Sequence, residues 1–402
     1  MKKEKTPNIR FKKFEHNWFK ECLNKVSNSI EYGLNASAKN FDGIHKYLRI
    51  TDIDESSRLF LTDKLSSPDV NFTIEDYENY KLQKNDLLFA RTGASVGKTY
   101  LYRESDGEVY YAGFLIRARL RNSYDGNFIF QQTLTEKYKQ FIEIISQRSG
   151  QPGVNGKEYG EWNVGMTTYH EQSAIGSLFR TLDDLLASYK DNLANYQSLK
   201  ATMLSKMFPK AGQTVPEIRL DGFEGEWEEK EFSKLVKRVT QSSDSDSLPK
   251  VEFEDIISGQ GRLNKDISSK FDNRKGTHFK PGYTLYGKLR PYLNNWLLPK
   301  FEGVALGDFW VFDPNGNDSN FVYYLIQSNR YQKVANDTSG TKMPRSDWKS
   351  VSSTIFAIPQ TIPEQQAVGT YFSNLDNLIN SHQEKISQLE ILKKKLLQDM
   401  FI

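Results

Sequence analysis

The segment from Glu171 to Phe208, "EQSAIGSLFRTLDDLLASYKDNLANYQSLKATMLSKMF", returns from Glu364 to Phe401 at a constant offset of 193, without a gap. Fourteen of the 38 positions are identical, among them Glu171/Glu364, Gln172/Gln365, Phe179/Phe372, Asp183/Asp376 and Met207/Met400. A second echo opens each half: Pro7–Trp18, "PNIRFKKFEHNW", matches Pro216–Trp227, "PEIRLDGFEGEW", at offset 209, with six of twelve residues identical. A chain that repeats itself at a fixed offset is built from repeated structural units. Here the unit is a globular region followed by one long helix. The offset falls from 209 to 193 along the unit, so the second globular region is 16 residues shorter than the first.

Apolar or aromatic residues recur in steps of three and four along both copies of the segment. The first stripe runs Ile175, Leu178, Leu182, Leu185, Tyr189, Leu193, Tyr196, Leu199, Met203 and Met207. The second runs Val368, Tyr371, Leu375, Leu378, His382, Ile386, Leu389, Leu392, Leu396 and Met400. This is the amphipathic or coiled-coil signature. Thirty-eight helical residues span roughly 55 Å, and a helix of that length with one apolar stripe needs a partner. Its own duplicate is the natural one, packed antiparallel as a coiled coil. His382 reads as a tolerated seam residue. The competing reading is that each helix covers only its own domain.

Between these segments, short strand-like runs alternate with turns. The first half has "HKYLRITDI", "DLLFA", "KTYLYR" and "VYYAGFLIRARL", then one helix, "NFIFQQTLTEKYKQFIEIISQ". The second has "YTLYGKL", "NNWLLP" and "GVALGDFWVF", then "NFVYYLIQSNRYQKVAN". This is α+β patterning. The expected layout is a strand-rich globular domain at 1–165, a long helix at 166–210, a second such domain at 211–356 and a C-terminal long helix at 357–402. The antiparallel helices separate the domains, and the repeat implies a pseudo-twofold relation. "DLLFARTG" stands where "YTLYGKLRP" stands in the second half. "RSGQPGVNGKEYGEW" (Arg148–Trp162) corresponds to "TSGTKMPRSDW" (Thr338–Trp348), both ending in Trp.

Composition excludes several classes. A single cysteine, Cys22, allows no intramolecular disulfide and no cysteine-based metal site. The histidines (His16, His45, His170, His278 and His382) lack metal-ligand spacing, so no metal is expected. The basic N-terminus has no apolar core of a signal peptide, and no run approaches the roughly 18 apolar residues of a membrane span. The expected location is the cytoplasm. A net charge of +3, from 54 basic and 51 acidic residues, leaves a nucleic-acid partner open, because what matters is clustering on one face.

"ARTGASVGKT" (Ala90–Thr99) looks like a nucleotide loop but lacks its spacing. Such a loop needs four residues between its first Gly and Gly-Lys-Ser/Thr, whereas Gly93 and Gly97 enclose three. The residues after Thr99 read as strand, where a phosphate loop opens a helix. Two readings remain: a structural turn, or a loop meeting DNA phosphates or base edges. For the second, Arg91, Thr92, Gly93, Ser95 and Lys98 stand opposite Lys288, Arg290 and Tyr292 in the other half. A second loop pair sets Ser149, Gly150, Gln151, Asn155 and Lys157 opposite Ser339, Thr341, Lys342 and Arg345. Cations contact phosphates and guanine edges, and Gln and Asn can read adenine. No Asn/Asp-Pro-Pro-Tyr/Phe motif of the amino-methyltransferases is present, and "DPNG" (Asp313–Gly316) reads as a turn.

The order globular region, long helix, globular region, long helix, with "PEIR…F.GEW" openings and "EQ.AI/VG..F..LD.L/I" helix starts, resembles the specificity subunit of type I restriction–modification systems. "YTLYGKLRPYLNN" and "SGTKMPRSDW…IPQTIPEQQ" add to the resemblance, which covers essentially all 402 residues. "RTGASVGK" departs from "GKLRPYL", which concerns the bases that are read. The resemblance implies a non-catalytic subunit whose two recognition domains each read one half of a bipartite, asymmetric double-stranded DNA site. The helix pair would fix the unread gap and dock two methyltransferase subunits performing N6-adenine methylation. Two restriction subunits would add ATP-dependent translocation and cleavage. No cofactor is then expected in this chain; S-adenosylmethionine, ATP and Mg belong to the partners. Two alternatives are the specificity half of a stand-alone methyltransferase or nuclease system, and a coiled-coil scaffold that binds only proteins.

Overall fold

A computed structural model describes residues 6–147, 151–268, 273–337 and 342–402. The chain forms two compact units: Met1–Lys190 with Glu384–Ile402, and Asp191–Gln383. Each unit therefore contains part of both long helices.

In the first unit the strands that frame the site are β1 (Phe19–Cys22), β2 (Ser27–Tyr32), β3 (Lys46–Leu48), β4 (Asp86–Ala90), β5 (Thr99–Leu101), β6 (Val109–Tyr111), β7 (Leu115–Leu120) and β8 (Asn163–Met166); Ala38–Asn40 and Ser66–Pro68 form a further small hairpin-like pair. Their helices are α1 (Gly126–Gln132), α2 (Glu136–Ile145), α3 (Gly156–Gly160) and the start of α4 (Tyr169–Lys206). An antiparallel sheet runs β2–β7–β4–β5, β3 pairs β6 in parallel, and β1 pairs β8 antiparallel. Strand β4, "DLLFA", is buried at all five positions. It reads as a continuous apolar run because both its faces are covered. Leu87 and Phe89 join the core beneath α1 and α2, while Leu88 and Ala90 join a second core with Leu48, Tyr100 and Tyr111.

The second unit repeats the main sheet, and adds Gly276–Phe279 and Ser242–Ser243 to its parallel strand pair. Its strands that match those of the first unit are β9 (Glu228–Glu231), β10 (Lys237–Val239), β11 (Lys250–Val251), β12 (Thr284–Gly287), β13 (Trp296–Leu297), β14 (Gly303–Ala305), β15 (Phe309–Asp313) and β16 (Ile355–Ile358). Helices α5 (Ser319–Leu325), α6 (Asn329–Ala335), α7 (Trp348–Ser353) and α8 (Ile362–Asp399) keep the order of the first unit. The sheet runs β10–β15–β12–β13, β11 is parallel to β14, and β9 pairs β16.

The sequence predicts one helix where each unit has two. The Thr135 hydroxyl accepts from Tyr138 N and caps α2, and the Ser328 hydroxyl accepts from Tyr331 N and caps α6. A hydroxyl that satisfies free helix N–H groups starts a new helix wherever the chain turns. The two tryptophans that end the matched loop segments do not correspond. Asn155 caps α3 and Asp347 caps α7, so Trp348 opens its helix while Trp162 comes after the end of α3.

The long helices α4 and α8 each have 38 residues. Their buried apolar residues are Ile175, Phe179, Leu182 and Leu186, and at the same offset Val368, Phe372, Leu375 and Ile379. The expected stripe is thus shifted in its early turns: Leu185 and Leu378 are exposed. The reason is that these turns pack onto α1 and α5 and are aimed at the globular core. Each unit also takes up the far end of the other helix. Phe401 stacks on Phe179 with centroids 5.6 Å apart in the first unit, and Phe208 on Phe372 at 5.9 Å in the second. Such contacts require antiparallel helices. His382 lies in the seam, its ring edge-on to Tyr196 at 5.1 Å and its Nδ1 2.9 Å from the Leu378 carbonyl oxygen.

Each helix start is locked to its unit by duplicated polar contacts. Arg10 makes a two-pronged hydrogen bond to Glu171 at 2.6 and 2.8 Å, and Arg219 to Glu364 at 2.7 and 2.9 Å. Gln172 accepts from Asp125 N and Gln365 from Asp318 N, joining each long helix to the caps of α1 and α5. The identical Glu and Gln residues of the repeat are therefore its buried fasteners, held by half-buried Arg and Asp partners.

Candidate nucleic-acid interface

The two loop segments singled out in each half are hydrogen-bonded together. In the first unit Thr92 bridges Gly153, Gly93 N–H donates to the Pro152 carbonyl at 3.1 Å, and Val154 N–H donates to the Arg91 carbonyl at 2.9 Å. In the second, Leu289 bridges Arg345, Arg290 N–H donates to the Pro344 carbonyl at 2.7 Å, and Ser346 N–H donates to the Lys288 carbonyl at 2.8 Å. Residues more than 50 apart in sequence thus form one ledge at the end of strands β4 and β12. The pattern of donors and acceptors is the same in both units although the side chains differ.

The loop after β4 is a single 3-10 turn, Gly93–Ser95, which leads into strand β5. No helix opens there, so the loop lacks the helix N-terminus on which a triphosphate rests. Gly93 and Gly97 take left-handed backbone, φ +74° and +84°. In the second unit Arg290 and Asn294 hold the matching places at +49° and +56°. The loop shape persists without its glycines.

Within the ledge the side chains divide by how far they are already engaged. The Arg91 guanidinium lies 5.0 Å from the centre of the Tyr32 ring, and its Nη1 reaches the Gly113 carbonyl at 3.4 Å. Lys98 is turned inward, with 9% of its side chain exposed. Its Nζ is 2.7 Å from Glu55 and donates to the Ile53 carbonyl at 3.0 Å. Asn155 spends its side-chain oxygen capping α3, while Ser95 is half-buried. Gln151 and Lys157 are exposed. In the second unit Arg290, Tyr292, Lys342 and Arg345 are exposed and Lys288 is half-buried. Asp308 holds two of these cations, Arg345 at 3.0 Å and Lys288 at 3.5 Å. Burial raises the Asp308 carboxyl, but the hydrogen bond and charge of Arg345, with Lys288 beside it, carry it below the ordinary carboxylate value. Ser149, Gly150, Ser339 and Thr341 lie outside the described residues.

Tyr32 and Asp308, which orient these cations, are absent from the residues selected by sequence. Neither is charged like DNA-binding groups or repeated between the halves, so no sequence signal marks them. Among the described residues there is no group of three or more His, Cys, Asp or Glu placed to hold a metal ion. No helix among them is long and apolar enough to cross a membrane.

Comparison with known proteins agrees with this architecture. Residues 225–391 match the family described as type I restriction modification DNA specificity domain. The type I restriction enzyme MjaVIII specificity subunit of Methanocaldococcus jannaschii is 20% identical over 385 residues, covering 89% of this chain and 85% of that protein. The crystal structure of the type I restriction–modification S subunit from M. genitalium superposes with a TM-score of 0.66 at 14% identity, covering 99% of both chains, and so shares the fold. Residues 225–391 thus carry a type I restriction modification DNA specificity domain, and the chain as a whole has the fold of that S subunit.

Proposed function

We propose that each unit reads one half of a bipartite, asymmetric double-stranded DNA site through its ledge of paired loops. The helix pair sets the unread spacing and docks two methyltransferase subunits. In this reading the chain performs no chemistry. S-adenosylmethionine for N6-adenine methylation is bound by the methyltransferase partners, and ATP and Mg by two restriction subunits. The observation that carries the reading is the recurrence of one backbone ledge with two different sets of side chains. A duplicated frame with divergent tips suits two unlike half-sites, because contacts to base edges specify sequence while the frame only positions them. Exposed Leu185, Leu199, Leu378, Ile391 and Leu392 on the helices supply apolar surface for docking partners. Half-sites on one face of B-DNA recur about every 34–36 Å, within the span of roughly 55 Å expected for a 38-residue helix. The target adenine, once flipped, would enter the partner's pocket.

The test is methylome sequencing of a host expressing this chain with its methyltransferase subunits. A split motif is expected. Exchanging Lys288, Arg290 and Arg345 for alanine should relax one half of it and leave the other intact. Methylation without sequence preference, or relaxation of both halves together, contradicts the reading.

A further inference from the structure

Phe114 is a large aromatic side chain that is 63% exposed, although its backbone is firmly held. Leu115 N–H donates to the Ala112 carbonyl at 2.8 Å, Gly113 N–H to the Leu34 carbonyl at 2.8 Å, and Arg91 N–H to the Phe114 carbonyl at 3.1 Å. The ring therefore stands on a rigid turn, one hydrogen bond from the ledge. The Arg91 guanidinium reaches the carbonyl of Gly113, the preceding residue, and lies over the ring of Tyr32, itself 46% exposed. Tyr32 is tied to the second loop, its hydroxyl accepting from Gly156 N at 3.1 Å.

The second unit explains what the position is for. Lys288 N–H donates to the Asp308 carbonyl at 2.9 Å, as Arg91 N–H does to Phe114. Asp308 thus occupies the place of Phe114 relative to the ledge, although the turn before it differs: Phe309 N–H donates to the Gly307 carbonyl, where Leu115 N–H donates to that of Ala112. A frame that accepts a carboxylate there does not need an aromatic ring to fold. An exposed ring of this size, left in water, forgoes hydrophobic stabilisation unless something covers it. Arg91, whose backbone N–H holds the Phe114 carbonyl, and exposed Lys157, next to the Gly156 that binds Tyr32, favour a polyanion that presents flat apolar groups, which is DNA.

We propose that Phe114 is a specificity-determining residue of the first unit, contacting the apolar surface of a nucleobase in that unit's half-site. The surface is either the 5-methyl group of a thymine or the face of a base at an opened step. The proposal rests on the DNA-reading function above. The second unit uses the same position differently: Asp308 orients Arg345 and Lys288 for polar readout.

The test uses the chain assembled with its methyltransferase subunits, on duplexes carrying the split site that methylome sequencing defines. A wild-type complex with no sequence preference would sink the underlying reading before any Phe114 variant is made. With preference established, Phe114→Ala and Phe114→Asp are expected to lose about 10-fold discrimination at one or two adjacent base pairs of one half-site, the size of a lost base contact. The other half-site and the Tm should be unchanged. Two arms separate the sources. If the methyl group is touched, thymine→uracil in the duplex reproduces the loss with wild-type protein and adds nothing to F114A. If a step is opened, 2-aminopurine beside it brightens with wild-type protein and stays dark with F114A. Unchanged discrimination overturns the proposal, as does loss with neither signature. Loss at both half-sites with a lowered Tm also overturns it, because Phe114 would then be a folding residue.

Discussion

Asp183 meets Lys393 at 2.6 Å, and the same pair returns with its halves exchanged where Asp376 meets Lys200 at 2.7 Å. Both aspartates and both lysines are related by the repeat offset of 193. Such a swap is what self-complementary packing of two like helices produces: if residue i of one meets j of the other, then j of the first meets i of the second. Each carboxylate has a second partner from its own globular region, Gln131 for Asp183 and the Tyr324 hydroxyl for Asp376, both at 2.8 Å. The bridge therefore ties the helix seam to the domain. Asp183 and Lys393 are 12% and 15% exposed, so removing one leaves a poorly hydrated charge behind. Lys393→Met is expected to cost about 2–3 kcal/mol of unfolding free energy. Adding Asp183→Asn should recover part of it. A cost under about 0.5 kcal/mol in urea titrations would place the pair among weak surface bridges.

Gly176 and Gly369 are identical in the repeat because the caps of α1 and α5 press against them. A Cβ built on Gly176 would clash with Asp125 Oδ1, and one on Gly369 would lie 2.7 Å from Asn320 Cβ and 2.8 Å from Asp318 Oδ1. Those carboxylates are the N-caps, accepting from Phe128 N and Phe321 N. Gly369→Ala should displace the cap and cost about 2–4 kcal/mol, the sum of a lost cap and overpacking. Alanine elsewhere in a helix would stabilise it, so an increase in Tm for G369A would refute the close-packing account.

The duplication makes much of this legible from the sequence alone. Two helices at offset 193 with identical Glu, Gln, Asp and Phe positions imply equal structural tasks, and the fasteners at Glu171 and Glu364 fulfil them. Less legible is which face of each helix turns inward. Leu185 and Phe179 both fit a three-four spacing, and only packing on α1 selects Phe179. The helix breaks at Thr135 and Ser328 are hidden because the residues around them continue an apolar period. The ledge is half legible. Its four segments stand out in the sequence, but their hydrogen bonding depends on chain turns that carry no periodic signal. The loss of glycine in "GKLRP" implies a different loop, whereas Arg290 adopts the same left-handed backbone as Gly93.

That backbone has a cost. Arg290 sits at φ +49° and ψ 61°, where a side chain crowds the following carbonyl. Arg290→Gly is expected to raise stability by about 0.5–1 kcal/mol, since glycine meets no such crowding. The same change should weaken DNA binding and lower the slope of log affinity against log salt by about one, the amount expected for one lost phosphate contact. Thermal melting and binding across a salt series read the two effects separately. Lower stability with unchanged salt dependence would make Arg290 a structural residue.

Asp308 gives the second ledge a pH dependence whose sign can be worked out. Its carboxyl is held below the ordinary value in the folded chain: burial opposes ionisation, but Arg345 and Lys288 outweigh it. A group depressed on folding stabilises the folded state above its unfolded pKa, near 3.9, and that stabilisation is lost as pH falls through the folded value. Asp308→Asn should therefore be less stable than wild type at pH 6. The gap should begin to close below about pH 4 and narrow further with each step downward. At pH 6 the same variant frees Lys288 and Arg345 from their shared anchor, so discrimination in the second half-site should fall while that in the first stays constant. A stability gap that is flat from pH 6 to pH 3 would mean that Asp308 acts through shape and hydrogen bonding and not through its charge.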